Sequence, residues 1–136
     1  MSKTAVIYWS GTGNTEAMAM AVGEGASADV FSVDRFKGQL EDYDHVAFGC
    51  PSMGSEVLEE GEFEPFFTAV ESSLRSKKVA LFGSYGWGDG QWMRDWEERA
   101  KASGAVLFKE GLIINETPDA DGLASCKTYG QEFAAF

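Results

Sequence analysis

The feature that most restricts this chain is an alternation between two kinds of apolar pattern. Lys3–Trp9, Asp29–Val33, His45–Cys50, Lys78–Gly83 and Ala105–Ile114 are strand candidates, several of them continuously apolar and rich in Val, Ile and Phe. A strand that is apolar on both sides belongs in a parallel sheet covered on both faces. Between these runs the spacing becomes helical. From Asn14 to about Gly23, Ala17, Met18, Ala21 and Val22 share one side. Phe63, Phe66, Phe67, Val70 and Leu74 form a second stripe, and Trp92, Met93, Trp96 and Ala100 a third. Pro65 suits only the first turn of its helix. A last helix is predicted from about Asp119 to Phe136, with Leu123, Cys126, Tyr129, Gly130 and Phe133 facing inward.

The pattern predicts a single α/β domain over residues 1–136, built on a parallel sheet. Two local expectations accompany it. Gly23 and Gly25 each lower helix propensity by roughly 0.5–1 kcal/mol, so the first helix should be short. The segment Asp34–Asp44, interrupted by Gly38, reads as one helical turn and a loop. A chain of 136 residues can bury a sizeable core, and no apolar run approaches the ~20 residues of a membrane span. The N-terminus has no signal-peptide pattern, which makes a cytoplasmic location the expectation. Cys50 and Cys126 form neither a CxxC pair nor a zinc spacing and are expected to be reduced, buried thiols. A net charge of −11 argues against nucleic acid and anionic membranes, which recruit Lys and Arg. It suits basic protein partners, although acidity also serves solubility alone.

In a parallel sheet, all strand exits lie along one edge, where ligands bind. The first exit reads "YWSGTGNTE", two glycines among Ser10, Thr12, Asn14 and Thr15, with no Lys or Arg. A helix starting near Asn14 offers free N–H groups and a positive dipole end, and Gly11 and Gly13 let an anion approach the backbone. A phosphate could be held there by neutral donors. Neither a Gly-Lys-Ser/Thr loop nor GxGxxG is present, and an ordinary capped strand-to-helix turn is the plainer alternative. The second exit is Cys50–Glu56, and the third, Gly83–Gly90, holds Trp87 between two glycines, where it could stack on a planar ligand with Met53 of the second exit opposite. Alternatively, both side chains cap the core. His45, the only histidine, is expected at the surface, and the acidic residues Asp34, Asp42, Asp44, Glu59, Glu60, Glu62 and Glu64 as mostly solvated charges.

Together, "YWSGTGNTE", "GCPSMGSE" and "LFGSYGWGDGQWM" resemble the phosphate loop and the two ring-binding loops of flavodoxins, specifically the short-chain type of anaerobic bacteria such as clostridia. The resemblance spans essentially the whole chain. It implies a three-layer α/β/α sandwich with a five-stranded parallel sheet in the order 2-1-3-4-5. It also implies non-covalent FMN and low-potential one-electron transfer between redox proteins, in a monomer that is not an enzyme. The ribityl phosphate would lie on Ser10, Thr12, Gly13, Asn14 and Thr15, with Gly11 shaping the turn. Trp87 would stack on the outer ring face, with Met53 on the inner side. A peptide flip at Gly54 would present a carbonyl to the ring's central nitrogen. Glu56 would accept from the imide N–H, and Glu116 would add negative potential. Further contacts would come from Pro51, Ser52, Ser84, Tyr85, Gly86, Gly88 and Asn115. Ser55 departs from the acidic residue common at its position, which weakens the local negative potential. The last strand, Ala105–Ile114, lacks the long interruption of the long-chain type. The competing reading is an FMN-dependent quinone or nitro reductase, which needs a second pocket over the ring. A phosphoacceptor domain is disfavoured because Tyr8 and Trp9 stand where it would carry acidic residues.

Overall fold

A computed structural model describes residues 3–37 and 39–136. In chain order the elements are β1 (Thr4–Tyr8), α1 (Asn14–Ala26), β2 (Asp29–Ser32), β3 (His45–Gly49), α2 (Phe63–Val70), β4 (Lys78–Tyr85), α3 (Gln91–Ala102), β5 (Val106–Leu107), β6 (Leu112–Asn115) and α4 (Ala120–Ala134). All strand pairings among these elements are parallel, in the order β2-β1-β3-β4-β5, and β6 also pairs with β4. The five-position order expected from the sequence is therefore observed.

Side-chain alternation along the strands divides the core into two layers. Val6, Tyr8, Ala47, Ala80 and Phe82 face α1 and α4, packing with Met18, Val22, Cys126 and Phe133. Ala5, Ile7, Val46, Phe48 and Leu81 face α2 and α3, packing with Phe63, Phe67, Trp92 and Trp96. Every residue of β1 and β3 is buried, as strands covered on both faces require.

Several expectations need correction. The first helix runs on through Gly23 and Gly25 to Ala26. A Cβ on Gly25 would lie 1.9 Å from the Lys127 carbonyl oxygen, and one on Gly130 would lie 2.1 Å from that of Val22. The glycines thus let α1 and α4 pack closely, and that packing outweighs their poor propensity. The last strand is split, because Phe108–Gly111 leaves the sheet between β5 and β6. Lys109 and Glu110 carry charge that neither covered face could accept. His45 is not at the surface: it is 4% exposed and meets Phe133 edge-on at 5.2 Å. It begins a strand flanked by β1 and β4, so its neighbours enclose it. Burial and then Lys78 lower its pKa. In the Asp34–Asp44 segment a 3-10 turn covers Leu40–Asp42, and Gly38 lies outside the described residues.

The acidic residues are less uniformly solvated than expected. Glu59 Oε1 accepts from the N–H groups of Glu62 and Phe63, and its Oε2 accepts from that of Gly61. This carboxylate caps α2, a role its own N-cap residue, Glu62, leaves unfilled. Burial opposes ionisation of Glu59, but the three amides prevail and hold its pKa below the ordinary value. Glu64 and Glu71 grip Arg99 on α3, both at 2.7 Å.

Candidate functional site

The turn after β1 is organised around hydroxyl oxygens. Ser10 Oγ accepts from the amides of Gly13 and Glu16 at 3.1 and 3.2 Å, and Thr12 Oγ1 from that of Asn14 at 3.4 Å. Gly13 caps α1 in the left-handed region, with φ 96°. Amides at a helix start thus converge on oxygens, an arrangement an oxyanion can enter by displacing the hydroxyls. Thr15 lies deeper than a surface-bound anion would require of a side chain: it is 1% exposed, with Oγ1 3.0 Å from Ser84 Oγ.

This turn forms one wall of a cleft of about 220 Å³ through Gly11, Thr12 and Asn14. Pro51, Ser52 and Met53 form a second wall, Ser84, Tyr85 and Gly86 a third, and Glu116 closes one side. Among the described residues, no Lys or Arg lines it. Asn14 Oδ1 accepts from Thr117 at 3.1 Å, and the Tyr85 carbonyl accepts from Asn115 Nδ2 and Glu116 N–H at 3.2 and 2.7 Å. The strands aim the loops: the Cys50 and Ser52 amides donate to the carbonyls of Phe82 and Ser84, extending the β3–β4 pairing into the site.

The bend after Met53 is pinned at its base, where Met53 and Val57 exchange N–H···O bonds of 2.8 and 3.0 Å. Within it Gly54 has φ 51°, a conformation that suits glycine, and open space surrounds the position of an added Cβ. Glu56, also left-handed at φ 57°, turns towards the third loop. Its Oε1 accepts from Asp89 N–H at 3.3 Å, and a Cβ on Gly88 would fall 1.6 Å from that oxygen. Its Oε2 is buried and has no partner among the described residues. Trp87 stands 62% exposed and outside the cleft wall, so it does not cap the core; Met53 is 38% exposed and does line the cleft. Trp92 and Trp96 are buried, as their helical spacing implies.

Trp9 is a cleft residue that sequence reasoning assigned only to a strand end. Its indole N–H donates to Glu62 at 3.2 Å, and its ring lies so close to Gly11 that a Cβ there would approach it to 2.9 Å. A bulky ring immediately before a glycine-rich turn was the available signal. Below the cleft, burial raises the pKa of the Cys50 thiol, which removes it from nucleophilic chemistry. Tyr8 is pushed up to about 12 by burial and by its hydrogen bond to Glu16. What remains is a turn of neutral donors joined to a cleft that Glu116 lines.

The model of the Flavodoxin family matches residues 6–130. A flavodoxin from Clostridium beijerinckii is 45% identical over 135 residues, covering 95% of this chain and 97% of the relative. One from Megasphaera elsdenii is 47% identical over 135 residues, covering 95% and 96%. The solution structure of two-electron reduced Megasphaera elsdenii flavodoxin superposes with a TM-score of 0.82 at 44% identity, over 98% of this chain and 99% of that one.

Proposed function

The chain belongs to the flavodoxin family and is an FMN-binding electron carrier, and from that premise we propose how its own residues hold the cofactor and select its redox chemistry. FMN, when bound, supplies a ring that can take up electrons singly. We assign its phosphate to Ser10, Gly11, Thr12, Gly13, Asn14 and Thr15. The amides already gathered on Ser10 Oγ and Thr12 Oγ1 support this assignment. Hydrogen bonds and the α1 dipole hold the dianion without a cation. We assign the ring to the cleft between the Pro51–Gly54 and Ser84–Gly88 loops, with Met53 inside, Trp87 outside, and Asn115 and Glu116 at the rim.

Glu56 provides the test of fit. A buried carboxylate oxygen without a donor is costly, and the imide N–H of the ring is a donor of the right kind. Gly54 selects the redox step. The Met53–Val57 bonds hold both ends of the bend, so the intervening peptide can turn over without breaking them. Its carbonyl then accepts from the ring's central nitrogen in one redox state only, and a bond made in one state favours that state. The carboxylates of Glu56 and Glu116 oppose negative charge on the ring, which lowers its potential.

In this reading residues 1–136 act as one carrier, monomeric and cytoplasmic, in keeping with two buried free thiols. Redox proteins with basic faces are its partners, and it is not itself an enzyme. The observation that carries the reading is the meeting of the neutral-donor turn, the Gly54 bend and the Trp87 loop at one sheet edge. Titration of the apoprotein with FMN tests it: one equivalent should bind, and NAD(P)H should not be oxidised rapidly without a partner protein. Rapid turnover by the protein alone would favour the reductase instead.

A further inference from the structure

Thr15 and Ser84 are buried hydroxyls, 1% and 5% exposed, with 3.0 Å between their oxygens. The Ser84 N–H also donates to Thr15 Oγ1, at 3.3 Å. Each hydroxyl brings one proton, and only one of the two can lie in the bond between them. The pair therefore holds a spare proton, and burial denies it water. Among the described residues neither hydroxyl has another hydrogen-bond partner. A buried donor without an acceptor is costly, so the spare proton points to a missing oxygen.

Its location follows from the acceptors. The N–H and the hydroxyl of Ser84 both face Thr15 Oγ1, whose two lone pairs can receive both. Thr15 is then left as the outward donor. It is the second residue of α1, in the turn whose amides converge on Ser10 and Thr12. We propose that Ser84 and Thr15 form a relay in which the Ser84 hydroxyl donates to Thr15 and Thr15 donates to the phosphate of FMN. Ser84 is thereby a positioning residue for a phosphate it does not touch. The inference rests on the placement of that phosphate in the Ser10–Thr15 turn. A dianion is the strongest acceptor available there, and it polarises both hydroxyls in one direction.

The test compares FMN with riboflavin, which lacks the phosphate, by fluorescence titration of the apoprotein. Ser84→Ala keeps the backbone bonds to Thr15 and Ser52, so the loops retain their positions. It should weaken FMN by about 3- to 10-fold more than it weakens riboflavin. Thr15→Val should weaken FMN at least as much, the double variant no further than Thr15→Val, and Thr15→Ser should restore most of the preference for FMN. Equal weakening of both ligands by Ser84→Ala, or no weakening of FMN, overturns the relay. Should the unaltered protein bind riboflavin as tightly as FMN, the phosphate assignment itself fails, and the relay with it.

Discussion

Trp87 is the side chain whose position has the least structural justification of its own, since a ring 62% exposed contributes little to the core. Trp87→Ala should therefore leave the urea midpoint unchanged while weakening FMN by about 2- to 10-fold, the equivalent of roughly 0.5–1.5 kcal/mol of stacking. A lowered midpoint would show that the ring supports the fold. Gly54 makes a different prediction. An L-residue in its left-handed conformation costs roughly 1–2 kcal/mol, so Gly54→Ala should disturb the balance between the two peptide orientations and shift the first one-electron potential by about 40–90 mV. Stepwise reductive titration measures this shift. The glycines and small hydroxyl residues of the first turn were legible in sequence because few other roles need them in succession. The Thr15–Ser84 contact was not, because it joins residues 69 positions apart that no local pattern links. His45 was misjudged for a related reason: exposure depends on what flanks a strand, and composition does not report that.

The elements show where propensity yields to packing. Gly25 and Gly130 sit where α1 and α4 touch backbone to backbone, so Gly130→Ala should destabilise by about 1–3 kcal/mol in urea despite alanine's better helix propensity. A stabilised variant would mean that the helices can move apart at little cost. The short first helix expected from these glycines was wrong because the sequence shows their propensity but not their partners. The split of the last strand was visible in part, as Lys109-Glu110-Gly111 interrupts an otherwise apolar run. Helix α2 depends on ionised carboxylates. Glu59 and Glu64 both have pKa values held below the ordinary 4.5, Glu64 chiefly by its hydrogen bond to Arg99. Their contribution is fully present above that ordinary value and is lost as pH falls through the folded values. Stability should decline in this range, and Glu59→Gln, which keeps one acceptor oxygen, should flatten the decline while costing about 1 kcal/mol at neutral pH.

Over the whole molecule, the strand order was legible only through the flavodoxin resemblance, whereas the two-period alternation gave a parallel α/β sheet, one of the few topologies open to strands joined by helices. That alternation also placed all three loops on one edge before any contact was known. The same edge carries a consequence for charge. The phosphate turn has no cation, and the chain around it has a net charge of −11, so FMN approaches as a dianion against a repelling field. A basic partner approaches the same field as an attraction. Salt shortens the reach of both forces to about 10 Å at 0.1 M. Raising the ionic strength should therefore speed and tighten loading of the empty protein with its cofactor while slowing electron exchange with basic partners, so a single concentration series would separate assembly from use by the opposite signs of their slopes.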